Sequence, residues 1–291
     1  MRLTDKLAQR RPIIIVELRS DDSNLIDFVE KIRPYADAVR LTAMKNADDP
    51  TNPARTAEQI SFESAIKIRR VHQIDVVASL VCRDHPKNDR DVLDSLKRAG
   101  VDNLLALFGD RNDPPHPNFY QFQSSADLIQ WVRRQESSML EHETEFCIAT
   151  GSDPTRDIDQ QIAGVMAKKR AGADITITQP LFDPQQGLDF INKLRATNQT
   201  IPVIIGLLVL RSERSMKYIE ERVGLTTTPR VKDRMKQKGI EEGLQIATEV
   251  SRALWTKADG FYIVPWADRD LSTTLTLLKQ LKSERETHPS I

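Results

Sequence analysis

Short apolar runs alternate along this chain with charged segments of helical spacing. The runs occupy residues 13–18, 38–42, 75–82, 103–108, 145–150, 175–179, 202–210 and 260–264. Most are continuously apolar, as strands covered on both faces should be. Between them, apolar residues recur at helical intervals: Leu25, Phe28, Val29 and Ile32; Ile60, Ala65 and Ile68; Leu128, Trp131 and Val132; Ile162, Val165, Met166 and Ala173. Ile240, Leu244, Ala247 and Leu254 keep the period over several turns, and 271–281 is a Leu-rich final helix. Alternating strands and helices predict a parallel sheet, and eight evenly spaced strands predict a closed (β/α)8 TIM barrel rather than an open sheet. The exception is the long gap over 211–259. It holds a helix near 213–223, a polar stretch and the long helix, and reads as an extra helical element between strands seven and eight. With no linker rich in Gly, Ser or Pro and no internal repeat, 1–291 reads as a single domain, with 284–291 a frayed tail.

Composition narrows the function classes. Forty-two basic residues balance 42 acidic ones, so no bulk charge favours nucleic acid or an anionic membrane. The longest apolar run, 201–210, is about half of what a membrane-spanning helix needs, and 13–16 is too short for a signal-peptide core. A cytoplasmic location is expected. The two cysteines, Cys82 and Cys147, lie inside strand runs without metal-ligand spacing and read as buried free thiols. The dinucleotide fingerprint, the P-loop and the nucleophile elbow are absent. The histidines at 72, 85, 116, 142 and 288 are scattered, so no metal site is expected.

In a barrel, residues at the strand C-termini converge on one mouth. Here they are polar: Glu17 and Arg19, Arg40 and Thr42, Ser79 with Arg83 and Asp84, Gly109 and Asp110, Thr150 with Ser152 and Asp153, Gln179, Arg211, and Trp266 with Asp268 and Arg269. Glu17 stands within an apolar strand. Unpaired there, an acid would have a raised pKa suited to general acid catalysis; the structural alternative is an ion pair with Arg40 or Arg19. Asp110 follows a glycine that admits close ligand approach, or else is a turn aspartate. Gln179 can donate and accept, which suits a heterocycle such as a pterin, or else is buried and satisfied by backbone.

Glu17, the LFGD of 107–110 and the AGADITITQPLFD of 171–183 together resemble the methylenetetrahydrofolate reductase family, in order and spacing over the whole chain. The resemblance implies a (β/α)8 barrel of one-carbon metabolism, feeding methionine biosynthesis, that reduces 5,10-methylenetetrahydrofolate to 5-methyltetrahydrofolate. It implies FAD as the family's cofactor and NAD(P)H as hydride donor. Carried over residue by residue, Glu17 would protonate the folate nitrogen, Asp110 would tune the pterin and flavin surroundings, and Gln179 would bond the pterin. Arg211, Trp266 and Arg269 are then expected substrate contacts. Arg40, Ser79, Phe108, Gly109, Thr150, Lys168 and Tyr262 are expected at the cofactor.

The chain departs from the family at the flavin. Arg40 replaces a threonine, Ser79 a histidine, and Thr150 lies near a tyrosine position. On the helix before strand six, Gln161, Gly164 and Ala167 replace Asp, Asn and Arg, and Lys168 alone is kept. A diphosphate without its arginine loses about 1.5–3 kcal/mol. The expectation is therefore either a weakly held flavin or direct hydride transfer from NAD(P)H. The alternatives are a non-redox folate-binding or methyl-transfer partner protein and a reductase for another pterin carrier. NADH against NADPH and subunit number, a homo-oligomer included, stay open.

Overall fold

The computed structural model describes residues 1–9, 11–42, 57–82, 90–109, 122–137, 145–197 and 200–288. Eight parallel strands close in chain order into one barrel. They are β1 (Ile13–Arg19), β2 (Ala38–Thr42), β3 (Asp75–Val81), β4 (Asn103–Leu107), β5 (Cys147–Ser152), β6 (Ile175–Pro180), β7 (Val203–Leu208) and β8 (Gly260–Val264). The ring closes where Ile13 to Val16 pair with Gly260 to Ile263. The helices are α1 (Leu3–Leu7), α2 (Leu25–Ile32), α3 (Ala57–His72), α4 (Arg90–Arg98), α5 (Ser125–Glu136), α6 (Ile158–Arg170), α7 (Pro184–Arg195), α8 (Glu213–Tyr218), α9 (Pro229–Leu254) and α10 (Ser272–Thr287). The barrel is the (β/α)8 architecture that the alternation predicts.

Side chains alternate across each strand. In β1, Ile13 and Ile15 enter the barrel interior, while Ile14, Val16 and Leu18 pack outward among the helices. The same period sends Ala38, Val77, Leu105, Ala149, Ile177 and Tyr262 inward. The interior is therefore apolar through its lower layers. Glu17 and Arg40 follow Ile15 and Ala38 by two positions and inherit the inward face one layer nearer the mouth.

Helix α1 closes the opposite end. Leu3 is fully buried in the interior cluster, and its backbone N–H donates to Asn103 Oδ1 at 2.7 Å. Lys6 reaches Asp75 at 2.9 Å and the Asp37 carbonyl at 2.9 Å. Asp75 and Asn103 open β3 and β4, so these contacts lie at the strand N-termini. Cys82 and Cys147 are free and buried as expected, and burial pushes both thiols up to about 12.

The extra element between β7 and β8 is present. Helix α8 starts at a Ser212 capping box and runs on into a π-helical turn (Ile219–Val223) that ends at Gly224, φ 75°. α9 is broken at Gly239, where φ is 57° and ψ is −132°. Met216, Ile219, Leu225, Val231 and Met235 form one apolar cluster with Phe182 and Leu208. At Gly243, a Cβ would lie 1.8 Å from the Leu210 carbonyl, so only glycine lets α9 close on the end of β7.

Three helices are not marked by the apolar spacing read from the sequence: α1, α4 and α7. α7 does carry a start signal, since Asp183 caps Gln185 N–H and Pro184 takes the first helical position. The expected fray from 284 is corrected: α10 continues to Thr287. Arg252 donates to Glu284 at 2.7 Å, and Arg285 donates to Asp37 at 2.6 Å. β5 also runs two residues later than its apolar pattern suggests.

The seal at the barrel floor makes a measurable contribution. Leu3→Ala is expected to cost about 2–5 kcal/mol, as buried leucine truncations do. A urea titration followed by circular dichroism measures it, and an unchanged midpoint would show that α1 does not seal the barrel.

Candidate functional site

Glu17 and Arg40 are register partners on neighbouring strands, both facing inward. That placement makes their pairing unavoidable. Arg40 Nη1 donates to Glu17 Oε2, and the Tyr262 hydroxyl donates to the same oxygen. Tyr262 in turn accepts from Arg40 Nη1 at 2.8 Å. Arg40 Nε donates to Ser79 Oγ at 3.0 Å, and Ser79 passes its own proton to the Leu41 carbonyl at 3.1 Å. The side chains of Arg40 and Glu17 are 11% and 20% exposed.

The electrostatics follow from this burial. Desolvation alone would lower the Arg40 guanidinium, but Tyr262 and Glu17 outweigh it and hold it above its ordinary value. Burial, reinforced by Glu17, drives the Tyr262 phenol well above its ordinary value against the opposing pull of Arg40. Tyr262 is thus a neutral donor. Of the partners open to residue 17, the structure pairs it with Arg40, so it does not stand there as an unpaired acid. Arg19 lies at the rim and pairs with Asp21 at 2.6 Å instead. Glu17 Oε1 has no hydrogen-bond partner among the described residues.

Two cavities open at the mouth. The first, about 200 Å³, is walled by Leu105, Leu107, Ile177, Leu208 and Leu225, with Gln179 at its side. The second, about 440 Å³, is bounded by Phe28, Tyr218 and Trp266, with Arg19 and Arg269 on it. Glu17, Val264 and Trp266 line both. Gln179 is exposed into the first cavity rather than buried, and its amide makes no hydrogen bond with a described residue. A register shift between β6 and β7 aims this stretch. It needs Gly206, where a Cβ would lie 2.6 Å from the Thr178 carbonyl.

Other expected contacts sit elsewhere. Phe108 packs on the outer cluster among the helices, and Thr150 is fully buried beside the Ala106 carbonyl; neither lines a cavity. Strand alternation is the reason, since each shares the parity of outward residues such as Leu104 and Ile148. Arg211 lines neither cavity and pairs with buried Asp268 at 3.1 Å. Gly109 ends the described part of the β4 segment at φ 99°, and Asp110 lies outside the described residues. Lys168 donates to the Gly151 carbonyl behind the first cavity, and Gln161 accepts from Asp153 N–H at 2.9 Å. Sequence reasoning missed Tyr218, Ile219 and Leu225, which the extra element brings to the mouth. Among the described residues no cluster of His, Cys, Asp or Glu could hold a metal, and no helix is long and apolar enough to cross a membrane.

Comparison with known proteins agrees with this geometry. A profile described as methylenetetrahydrofolate reductase matches residues 19–255. Methylenetetrahydrofolate reductase 2 of Schizosaccharomyces pombe is 23% identical over 238 residues, covering 72% of this chain and 36% of its own. Methylenetetrahydrofolate reductase 1 of the same organism is 28% identical over 204 residues, covering 62% and 32%. The chain thus spans about a third of the length of the curated relatives it matches. Among solved structures, an uncharacterized protein from Clostridium thermocellum that binds two copies of 5-methyl-5,6,7,8-tetrahydrofolic acid superposes with a TM-score of 0.68. It is 12% identical, over 97% of this chain and 99% of its own, a likeness of fold.

Lys168 gives the site a pH signature. Burial lowers its amine from 10.5 to about 8. Below about 8 the folded chain holds a desolvated charge. As pH rises from there toward 10.5, the folded state has released a proton that the unfolded chain still binds, so stability climbs through that window. Lys168→Met is expected to be more stable than the parent at neutral pH and to lose that climb. Urea midpoints of both proteins across the window measure the difference, and parallel curves would contradict it.

Proposed function

Because the chain belongs to the methylenetetrahydrofolate reductase family, we propose that it reduces 5,10-methylenetetrahydrofolate to 5-methyltetrahydrofolate with NAD(P)H, and does so without a resident flavin. The observation that carries the reading is Glu17: Oε2 is fixed by Arg40 and Tyr262, and Oε1 is left for a ligand at the junction of two cavities.

The chemistry needs one acid and one hydride. The one-carbon bridge opens when the folate nitrogen that releases it takes a proton, leaving a cationic iminium on the other nitrogen. Glu17 is the one carboxylic acid among the described residues lining the first cavity. In its acid form it supplies that proton; as the carboxylate it then sits beside the cation it has helped to create. Arg40 and Tyr262 position the carboxyl group without competing for its second oxygen. Gln179, free on the cavity wall, suits the donor and acceptor edge of a pterin. The Clostridium thermocellum protein, with the same fold, binds a reduced folate.

FAD brings hydride relay to the family, but the residues here do not fit it. Arg40 and Ser79, at two expected flavin contacts, are spent on each other and on Glu17 and Leu41. On α6, Gly164 and Ala167 carry no polar side chain, Gln161 holds Asp153, and Lys168 holds Gly151. Of these four positions only Lys168 carries a charge, and it is turned to the Gly151 carbonyl.

Two measurements test the reading. The purified protein should be colourless, and NAD(P)H oxidation should depend on methylenetetrahydrofolate without added FAD. No turnover, with folate binding kept, would instead favour a non-redox folate-binding protein. Glu17→Gln keeps a hydrogen-bonding partner for Arg40 but cannot deliver a proton, so kcat should fall about 10²–10⁴-fold while folate still binds. A kcat within the parent's range would remove Glu17 from the chemistry.

A further inference from the structure

Hydride transfer without a carrier requires both reactants in the mouth together, and the two cavities differ in the ways two reactants would demand. We propose that the second cavity is a separate compartment for the nicotinamide dinucleotide, so that donor and folate react across the junction at Glu17 and Trp266. This rests on the reductase reading above.

The first cavity is walled mostly by apolar side chains, and its one cation among the described lining residues, Arg40, is paired with Glu17 through Nη1, which also reaches Tyr262, while Nε reaches Ser79. A neutral pterin suits that wall; a diphosphate does not. The second cavity, about 440 Å³, falls within the usual range for small-ligand sites, roughly 300–1,000 Å³. Its aromatic side is Trp266 with Tyr218, ring centroids 5.9 Å apart, and Tyr218 keeps 51% of its surface exposed. Such a pair offers a stacking face for a planar ring. Arg269 is exposed on the same cavity, without an ion pair to a described residue, and Arg19 lies on it beside Asp21. Arg19 is held by Asp21 much as Arg40 is by Glu17, so Arg269 is the cation, without an ion pair to a described residue, that the first cavity lacks; it shares the second cavity with the carboxylates of Asp22 and Asp268.

The loop that carries this compartment is held in an uncommon shape. Ala267 and Leu271 adopt left-handed backbones, φ 56° and 60°, in a stretch without glycine. Asp268 pins the loop: its carboxylate accepts from Thr274 N–H and Oγ1, each at 2.7 Å, and pairs with Arg211. Conformations this sparsely populated persist where the surroundings over-determine them, and they gather at ligand sites. Here the result is Trp266 between the cavities and Arg269 on the second. Arg211, expected to touch substrate, instead fixes the loop that would.

The reaction balances with these two reactants and one proton. The bond from the bridging carbon to one folate nitrogen breaks, and that nitrogen takes the proton. A hydride leaves the dihydronicotinamide ring for the iminium carbon, the C=N π pair returns to the other nitrogen, and a methyl group and an oxidised nicotinamide result.

Two experiments on the full chain test the assignment. Initial rates with NADH or NADPH and methylenetetrahydrofolate both varied should give intersecting double-reciprocal lines; parallel lines would overturn it. Arg269→Ala should raise the KM for the nucleotide about tenfold, the loss of one charge-assisted contact, and leave the folate KM nearly unchanged. The reverse split would place the nucleotide elsewhere. Calorimetry needs no turnover: 5-methyltetrahydrofolate should bind one per chain with the oxidised dinucleotide already bound at saturation. Competition between the two, no dinucleotide binding, or two folates per chain would each count against the compartment. Simultaneous binding without catalysis would sink the reductase reading and leave the compartment standing, whereas turnover with parallel lines would sink the compartment and the flavin-free step and leave the reduction of methylenetetrahydrofolate standing.

Discussion

A carboxylate and a guanidinium that share a buried layer of a barrel cannot ignore each other. Glu17 and Arg40 are register partners on β1 and β2, and the strand period turns both inward. Breaking such a pair by removing one partner costs about 3–5 kcal/mol, because the other charge stays buried and alone. The neighbouring strands are recruited to satisfy what remains: Ser79 from β3 takes Nε, and Tyr262 from β8 bridges the two charges. Four strands thus commit side chains to one polar layer above an otherwise apolar interior. That commitment decides what the mouth can hold. Among the described residues Glu17 Oε2 takes two hydrogen bonds and Oε1 none, and the charge of Arg40 is matched by Glu17.

The rest of the mouth is built around that fixed floor. The extra element after β7 adds Tyr218, Ile219 and Leu225 from above, and its descent is permitted by the close contact of Gly243 with Leu210. The loop after β8 adds Trp266 and Arg269, held by Asp268 through both Thr274 and Arg211. These two insertions meet in the Tyr218–Trp266 contact. The division into two cavities therefore arises from covalently distant segments, 218–225 and 265–271, that close over the same carboxylate.

The fold was legible because a parallel barrel has a repetitive code. Apolar runs, most of them continuous, marked all eight strands, and amphipathic spacing marked most helices. α1 escaped because five residues give the 3.6-residue period too few turns to declare itself, and α4 because its only apolar residues are Val92, Leu93 and Leu96. The site was legible where strand parity is simple. Glu17, Arg40 and Tyr262 follow it inward. Phe108 and Thr150 were misplaced because a position near the end of a strand was read without asking which face it shares. The partner of Glu17 was named among two alternatives but could not be chosen, since only the register of β1 against β2 prefers Arg40 to Arg19. Tyr218 and Leu225 were illegible for a different reason: nothing local says that a polar stretch between strands seven and eight folds back over the mouth.

The replaced flavin positions and the second cavity look independent in sequence, since they fall on different strands and loops. Chemically they are one change. A resident carrier can accept a hydride from one molecule, wait, and pass it to another, so a single pocket can serve two substrates in turn. On the proposed reading, filling the mouth with Arg40 and placing Gly164 and Ala167 on α6 removes the waiting step. The donor must then be present when the iminium forms, held close to it and oriented, and a second compartment that shares a wall with the first provides that proximity. On this view the Arg40–Glu17 pair and the strained loop at 265–271 answer the same constraint from opposite sides of the mouth. One makes the flavin's place unavailable; the other builds a place for the molecule that the flavin would have kept waiting.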